Sequence, residues 1–518
     1  MGKRVNKIAL VGTTLILTGV SMPLVYLVIR ATESGGGELY ELVVRPRNLD
    51  LLKNTTLLLI GVWTFSLFLA FPLAWLTSRT DLKRKRVWAL VGILPLAIPS
   101  YLMAYALQSM GGQVGVVAEI SDWVFPRING YWGAVLILGF CNFPYLFFNL
   151  RTSLMHLDPA LEEAAHSLGL NHRQIIFRVF LPQLKPAFFS GSLLIALHVI
   201  GDFAAVSLMR FETLSYVLYT QYNAAYNREY AAAIALILIS FTVLLLVIEG
   251  WFLRRIRFDR ASMATNRSLR PAQLGKWAPA AYGYLSVVLI ASVVAPVSTM
   301  VYWALKANVG ALWPDMKSAL VGSTMASLPA ALLTTVLVIP IVYLSVRTPS
   351  RLTRFLERST YFGYSVPALA FALGLVFFSL KLVPGLYQTL FLLIYAYTMH
   401  YMAEALGPVR SAMYQTSPRM EEAARSLGHG RIAAIFKTTI PLIRNGMLIS
   451  VAFVFLSCMK ELHLTLILSP LGYNTLALNV WSHIEEAMFA NAAPYALTIL
   501  AFSGLFVGMI LVQERQTA

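Results

Sequence analysis

The chain runs to 518 residues, 58% of them apolar and only 13% charged, where a soluble domain carries about a quarter. That balance excludes a water-soluble globular protein. The formal charge of +17 invites a nucleic-acid reading, but its distribution along the chain assigns it to membrane topology instead.

In chain order, apolar blocks of about 20 residues fall at roughly 7–29, 54–77, 87–110, 131–150, 186–208, 231–251, 279–304, 322–345, 361–380, 387–406, 446–468 and 495–513. Each is long enough to cross about 30 Å of hydrocarbon as a helix, which predicts an all-α polytopic membrane protein of about twelve transmembrane helices. The ten-residue alternation of a membrane barrel is missing, so helices must satisfy the backbone. The first run, Ile8 to Ile29, is longer than a signal-peptide core and lacks a small-x-small cleavage site, which predicts a retained helix. With an inside N-terminus, about 30 of the 41 Lys and Arg fall on inside segments and about 10 on outside ones, while Lys460 lies within a span. The inside clusters are Lys3, Arg4 and Lys7, then Arg79 with Lys83 to Arg86, Arg254 to Lys276, and Arg347 to Arg358. This bias predicts that both termini are cytoplasmic and that no nucleic acid is bound. Cys141 and Cys458 sit inside apolar blocks, so they build neither a disulfide framework nor a zinc spacing.

The chain is an internal duplication. Pro340 lies 268 positions after Pro72, and Pro367 the same distance after Pro99; Ser78-Arg-Thr80 pairs with Val346-Arg-Thr348 at that offset. Past a shortened outside loop the offset becomes 259, pairing Arg151 with Arg410, Gly169 with Gly428, Pro182 with Pro441 and Asp202 with Glu461. Six spans per half make the repeats parallel rather than inverted. The expected divisions are an N-terminal helix and outside loop at 1–53, a first transmembrane domain at 54–250, and a basic cytoplasmic linker at 251–278. A seventh helix with its outside loop at 279–320 and a second transmembrane domain at 321–512 complete them.

Between apolar blocks, Glu162-Glu-Ala-Ala-His-Ser-Leu-Gly169 returns with one change as Glu421-Glu-Ala-Ala-Arg-Ser-Leu-Gly428. Each copy reads as a short helix, a turn and a second helix. Asp158-Pro159 and Ser417-Pro418 mark the first helix start as cap plus first-turn proline. Gly169 and Gly428 suit a left-handed C-terminal turn. Asn171 and Gln174 are spaced to form a capping box on the following helix, and Phe177 and Phe436 are matching apolar anchors. Parallel repeats place both knobs on the cytoplasmic side, as required to grip two identical soluble partners.

These residues resemble the coupling-loop signature of type I ABC importer permeases, over about 54–250 and 321–512. The matching positions are Glu163, Ala164, Ala165, Gly169, Leu181 and Pro182, and again Glu422, Ala423, Ala424, Gly428, Ile440 and Pro441. Thr438 departs from the pattern, where an apolar residue is usual. The resemblance implies a fused pseudo-dimeric transport subunit in a bacterial inner membrane. It implies two copies of a separate ABC ATPase, a periplasmic or extracellular substrate-binding protein, and no catalysis by this chain. No Gly-x4-Gly-Lys-Ser/Thr loop occurs, so ATP and Mg2+ are expected on the partner subunits and no cofactor on this one. A secondary transporter also fits parallel six-span repeats but leaves the two knobs unexplained.

Within that family, Gly201-Asp-Phe203, Met459-Lys-Glu-Leu462, Arg210-Phe-Glu-Thr-Leu214, Asn474-Thr-Leu-Ala477 and Trp481-Ser482 resemble ferric-iron permeases. Fused permeases for thiamine or aminoalkylphosphonate share the architecture. Asp202 and Glu461 are ionisable groups inside spans, where each costs about 2.5–3.5 kcal/mol and normally faces a cavity or a partner. They are candidates for a translocation gate or a transient cation surface, with His198 and Lys460; a structural pairing of Glu461 with Lys460 is the alternative. His400 and Glu404 are expected to pack within the tenth span. Tyr216, Tyr219, Tyr222, Tyr226 and Tyr230 recur at helical spacing outside. With Trp481 they are candidates for docking the binding protein, or form an interfacial aromatic belt. No metal site is predicted.

Overall fold

The structure is a computed structural model that describes residues 14, 18–19, 21–29, 32, 36–155, 157, 164–165, 167–223, 228–255 and 271–517. Among the described residues, regular structure is helical throughout, apart from one isolated bridge between Thr80 and Ala272. Seven helices among the described residues are long and apolar enough to cross a membrane: Pro46–Arg79, Gly130–Met155, Phe177–Gly201, Glu229–Phe252, Gly275–Lys306, Val309–Arg347 and Ile432–Met459.

Two further predicted spans are bent. Lys85–Ala97 meets Ser100–Met110 at 93°, and Arg351–Ser365 meets Ala368–Leu382 at 95°. Both bends fall at the paired prolines: Pro99 (φ −58°, ψ 152°) and Pro367 (φ −52°, ψ 129°) each stand before a new helix start. A proline disfavours helical geometry at the preceding residue, so an apolar block carrying one need not be one straight rod. The predicted block 387–406 is likewise divided, into Leu390–His400 and Met402–Gln415. The apolar blocks at 87–110, 361–380 and 387–406 are thus each divided between two helices.

The described helices form two compact units. One comprises Pro46–Val217 with Ser240–Lys306; the other takes in the described parts of 1–45, Leu218–Ile239 and Ala307–Ala518. Each unit therefore holds the leading helix of the opposite sequence half. In the second unit Tyr395 Oη donates to the Gly19 carbonyl at 2.8 Å, and Tyr26 meets Phe378 edge-on at 6.2 Å. A side chain at Gly374 would lie 2.5 Å from the Pro23 carbonyl oxygen, so that crossing needs a glycine. In the first unit Tyr284 Oη donates to the Leu69 carbonyl at 2.7 Å, and Trp88 packs on Tyr282.

The end of the basic linker is tied to the first long helix. Ala272 N–H donates to the Arg79 carbonyl at 2.8 Å, and Leu274 N–H to Asp81 Oδ1 at 2.9 Å. At the other end of Gly275–Lys306, Tyr302 and Lys306 both donate to the carboxylate of Glu119 on the short helix Val116–Ser121. The Lys306 and Tyr302 hydrogen bonds hold the Glu119 carboxyl below its usual range. A depressed folded value adds stability that is present above the unfolded value and lost as pH falls through the folded one. Proteolytic nicking of the loop 111–129 is thus expected to rise only below the ordinary carboxylate range of about 4 to 5. Nicking of the variant Glu119→Gln is expected to be pH-independent across that range; a native-like acid transition in it would contradict the assignment.

Candidate functional site

The second knob is described throughout. Ser417 Oγ accepts from Arg419 N–H at 3.3 Å and Pro418 opens the helix Pro418–Ser426, as the cap-plus-proline pattern predicts. The helix closes with His429 N–H on the Ala424 carbonyl at 3.2 Å around Gly428 at φ 90°. The first knob closes identically: Leu170 N–H reaches the Ala165 carbonyl at 3.1 Å around Gly169 at φ 79°. This 6→1 bond over a left-handed residue is why both turns use glycine. Asn171 and Gln174 form the expected reciprocal box, each side chain accepting the other's backbone N–H at 2.9 Å. Glu163 and the Asp158-Pro159 pair lie outside the described residues.

Ala165 and Ala424 are buried, seating each knob, whereas Ala164, Glu422, Ala423 and Gly428 face solvent. Leu168 and Leu427 are both 81% exposed, and Phe177 and Phe436 are 69% and 65% exposed. Large apolar side chains left bare at matching places mark a surface built to be covered. The leucines escaped the motif reading, although the repeated Ser-Leu-Gly carried them. After each knob the chain makes a π-helical turn, Ile176–Phe180 and Ile435–Thr439. It then continues without a break into the long helices Leu181–Gly201 and Ile440–Met459, with Pro182 and Pro441 as the second residue of each, directly after the π-helical turn. The departing Thr438 turns its hydroxyl onto the Ala434 carbonyl at 2.7 Å, so the second copy accommodates it locally.

Glu421, one residue before the matched Glu422, points inward. Its Oε2 accepts from Tyr343 Oη at 2.8 Å; its Oε1 accepts from Thr439 Oγ1 at 2.6 Å and pairs with Arg347 Nε at 3.3 Å. Arg347 also donates to the Thr416 carbonyl at 2.9 Å and to Thr416 Oγ1 at 2.6 Å.

Both fifth-in-half spans break at the ionisable positions. The helix Leu181–Gly201 stops at Asp202 and resumes as Ala204–Leu208; Ile440–Met459 stops before Glu461 and resumes as His463–Leu468. Asp202 Oδ1 accepts from Ala205 N–H at 2.8 Å, and Glu461 Oε1 from Leu464 N–H at 3.0 Å. Each carboxylate thus caps the resumed helix three residues on. Their own carbonyls accept from Ser215 Oγ at 2.9 Å and Thr465 Oγ1 at 2.6 Å. Glu461 further accepts from Tyr401 Oη and lies 3.4 Å from His463 Nδ1.

His198 Nδ1 donates to the Leu194 carbonyl at 2.8 Å, which leaves Nε2 to accept from Tyr145 Oη at 2.9 Å. At the equivalent positions of the second half, Ser457 Oγ donates to Glu404 Oε2 at 2.6 Å. The same two helices are thus pinned by different chemistry. Lys460 is half-buried at the end of Ile440–Met459. His400 sits among the rings of Tyr364, Phe371 and Tyr401. Among the described residues, no group of three or more His, Cys, Asp or Glu is arranged to hold a metal ion.

The two Thr-Leu segments singled out in the sequence are structurally equivalent. Leu214 N–H donates to Thr55 Oγ1 at 3.1 Å, and Leu476 N–H to Ser323 Oγ at 2.9 Å. Each opens a short helix, Leu214–Asn223 and Leu476–Glu485. Tyr216, Tyr219 and Tyr222 on the first are half-buried, and Tyr226 lies outside the described residues. Trp481 is 2% exposed and meets Tyr219 edge-on at 6.4 Å, packing rather than presenting a docking face. Tyr230 is buried beneath the Arg45 guanidinium at 4.9 Å.

Two repeated knobs, two matching span breaks and two bent pairs make the halves copies of one transport domain. Residues 56–258 and 338–516 both match the family described as binding-protein-dependent transport system inner membrane component. The chain belongs to that family. It is 32% identical over 494 residues to the Fe(3+)-transport system permease protein FbpB 2 of Haemophilus influenzae, covering 94% of this chain and 95% of that one. It is also similar to the molybdenum transport system permease protein ModB of Escherichia coli, 31% identical over 205 residues, 38% of this chain and 89% of that one. The sulfate transport system permease protein CysT of Salmonella typhimurium is 24% identical over 246 residues, 45% of this chain and 88% of its own. ModB and CysT match over about the length of one repeat, as expected if this permease fuses two such subunits. The protein is a multi-pass ABC permease of the inner-membrane type, a transport subunit whose family works with ATPase and substrate-binding partners.

Proposed function

We propose that this permease carries ferric iron inward across the bacterial inner membrane by ATP-driven alternating access. Two copies of a separate ATPase grip the knobs, one through Glu163, Ala164 and Gly169, the other through Glu422, Ala423 and Gly428. Ala165, Ala424, Leu181, Pro182, Ile440 and Pro441 seat those surfaces on the spans. ATP and Mg2+ reside on the ATPases, this chain binds neither, and both its termini are cytoplasmic. A binding protein on the far side delivers the iron near the segments that begin at Leu214 and Leu476, with Tyr216, Tyr219 and Tyr222 close by. Asp202, His198, Lys460 and Glu461 belong to the translocation path or its gate.

The observation that carries the substrate is the near-full-length likeness to FbpB 2. The paired, bare Leu168 and Leu427 support the two-ATPase arrangement. The test is uptake of radiolabelled ferric iron by vesicles holding the permease, its ATPase and its binding protein. Uptake should require trapped ATP and survive collapse of ion gradients. Uptake of molybdate, sulfate, thiamine or an aminoalkylphosphonate in place of iron would reassign the substrate, and gradient-driven uptake without ATP would make the chain a secondary transporter.

A further inference from the structure

Just after the long helix Val309–Arg347 the chain makes a short basic helix, Arg351–Ser359, that the transport reading leaves without a task. A capping box starts it: Ser350 Oγ accepts from Thr353 N–H at 3.1 Å, and Thr353 Oγ1 from Ser350 N–H at 2.8 Å. Its residues sort onto three sides. Thr353 and Leu356 are buried against the protein, with Thr360 just beyond the last turn. Leu352 and Phe355, three positions apart, are 46% and 64% exposed. Arg351, Arg354 and Arg358, three and four apart, make an exposed row of cations. Arg354 Nε donates to the Ser350 carbonyl at 3.3 Å, which uses one of its five N–H groups. Glu357, the acid of this helix, is paired with Arg410 at 2.5 Å on another side.

The helical path continues to Ser365 and there meets Ala368–Leu382 at 95°. When Ala368–Leu382 stands across the bilayer, the basic helix therefore runs along its surface. The first repeat carries the same pattern 268 positions earlier, where Lys83, Arg86 and Val87 stand for Arg351, Arg354 and Phe355. Lys83 and Arg86 are exposed and Val87 is 54% exposed, and Lys85–Ala97 meets Ser100–Met110 at 93°.

At 100° per residue, the bare apolar strip lies between the buried side and the cations. A bilayer offers acyl chains and then phosphates in that same order, which suits a helix lying at their boundary. Guanidinium groups match phosphate oxygens in shape as well as charge, and each cation near an anionic leaflet adds to the attraction.

We propose that Arg351–Ser359, with its counterpart at Lys83 to Val91, is a binding site for anionic phospholipid of the cytoplasmic leaflet. The arginines take the phosphates, and Leu352 and Phe355 enter the acyl chains. This rests on the cytoplasmic placement of the termini proposed above.

The experiment uses the full chain with its ATPase and binding protein, in vesicles of equal phosphatidylglycerol and phosphatidylcholine. Benzoylphenylalanine placed at Leu352 is photolysed, and the lipids it captures are counted by mass spectrometry. Phosphatidylglycerol should be captured roughly fivefold over phosphatidylcholine. Arg351→Gln, Arg354→Gln and Arg358→Gln together should bring the two to parity, while Lys at the same three positions should keep most of the preference. Parity in the native chain overturns the proposal, as does a preference that the three Gln substitutions leave unchanged. Capture of the ATPase in place of lipid gives this face to a protein partner and overturns it too. Placement is read separately: in spheroplasts, Arg351→Cys should resist a membrane-impermeant maleimide. Labelling there removes the cytoplasmic placement and this proposal with it, whereas resistance combined with lipid parity overturns the proposal alone.

Discussion

Replacing both turn glycines, Gly169→Val and Gly428→Val, is expected to abolish capture of the ATPase by a tagged permease that still inserts into the membrane. The two residues sit at φ 79° and 90°, and a side chain at either would meet no atom within 4 Å. Steric clash is therefore not the mechanism. The backbone itself is: a left-handed conformation costs an L-residue about 1–2 kcal/mol, and a β-branched one is a genuine outlier there. Valine drives the turn toward negative φ, breaking the Leu170 to Ala165 and His429 to Ala424 closures that set the angle between knob helix and following helix. Leu168 and Leu427, one residue before each glycine and both bare, are then displaced with the turn. A shift worth about 1.4 kcal/mol at each knob weakens binding tenfold per site, and two sites compound it. The measurement is co-purification of the ATPase in mild detergent, with membrane insertion checked by protease protection. Normal capture by the double variant would remove the knobs from the ATPase interface.

What the sequence made legible were features whose physics is local. The knob turns, the Asn171–Gln174 box and the first-turn Pro418 depend on residues within a few positions of one another, and they sit where the spacing placed them. The bends at Pro99 and Pro367 were visible as paired prolines, but hydropathy reports what a block is made of and not the direction in which it runs. Asp202 and Glu461 stood out as costly charges inside spans. Their capping of a resumed helix three residues on was also written in the chain, but within an apolar block an acidic cap looks like an intramembrane ionisable group. Glu421 was overlooked because the motif drew attention to its neighbour, and its partners Tyr343, Arg347 and Thr439 lie in other elements. The exchange of leading helices, seen in the Tyr395–Gly19 and Tyr284–Leu69 bonds, is a tertiary choice that no periodicity encodes.

The double variant Asp202→Asn, Glu461→Gln is expected to lose iron uptake while assembling normally with its partners. The amides were chosen because the structure shows what must be kept. Asparagine caps a helix as well as aspartate does, so Ala205 N–H retains its acceptor. A glutamine oxygen can still receive Leu464 N–H or the Tyr401 hydroxyl. The breaks in both spans should therefore survive, and only two negative charges disappear from the membrane interior. A gate or cation surface needs those charges, whereas a cap does not. Uptake should fall roughly tenfold, equivalent to about 1.4 kcal/mol. Alanine at the same positions removes the caps as well, at about 1 kcal/mol each, and should lower thermal stability and assembly together. If the amide pair transports iron at the native rate while the alanine pair fails to assemble, both carboxylates serve the fold alone, and the path for the ion lies along other residues.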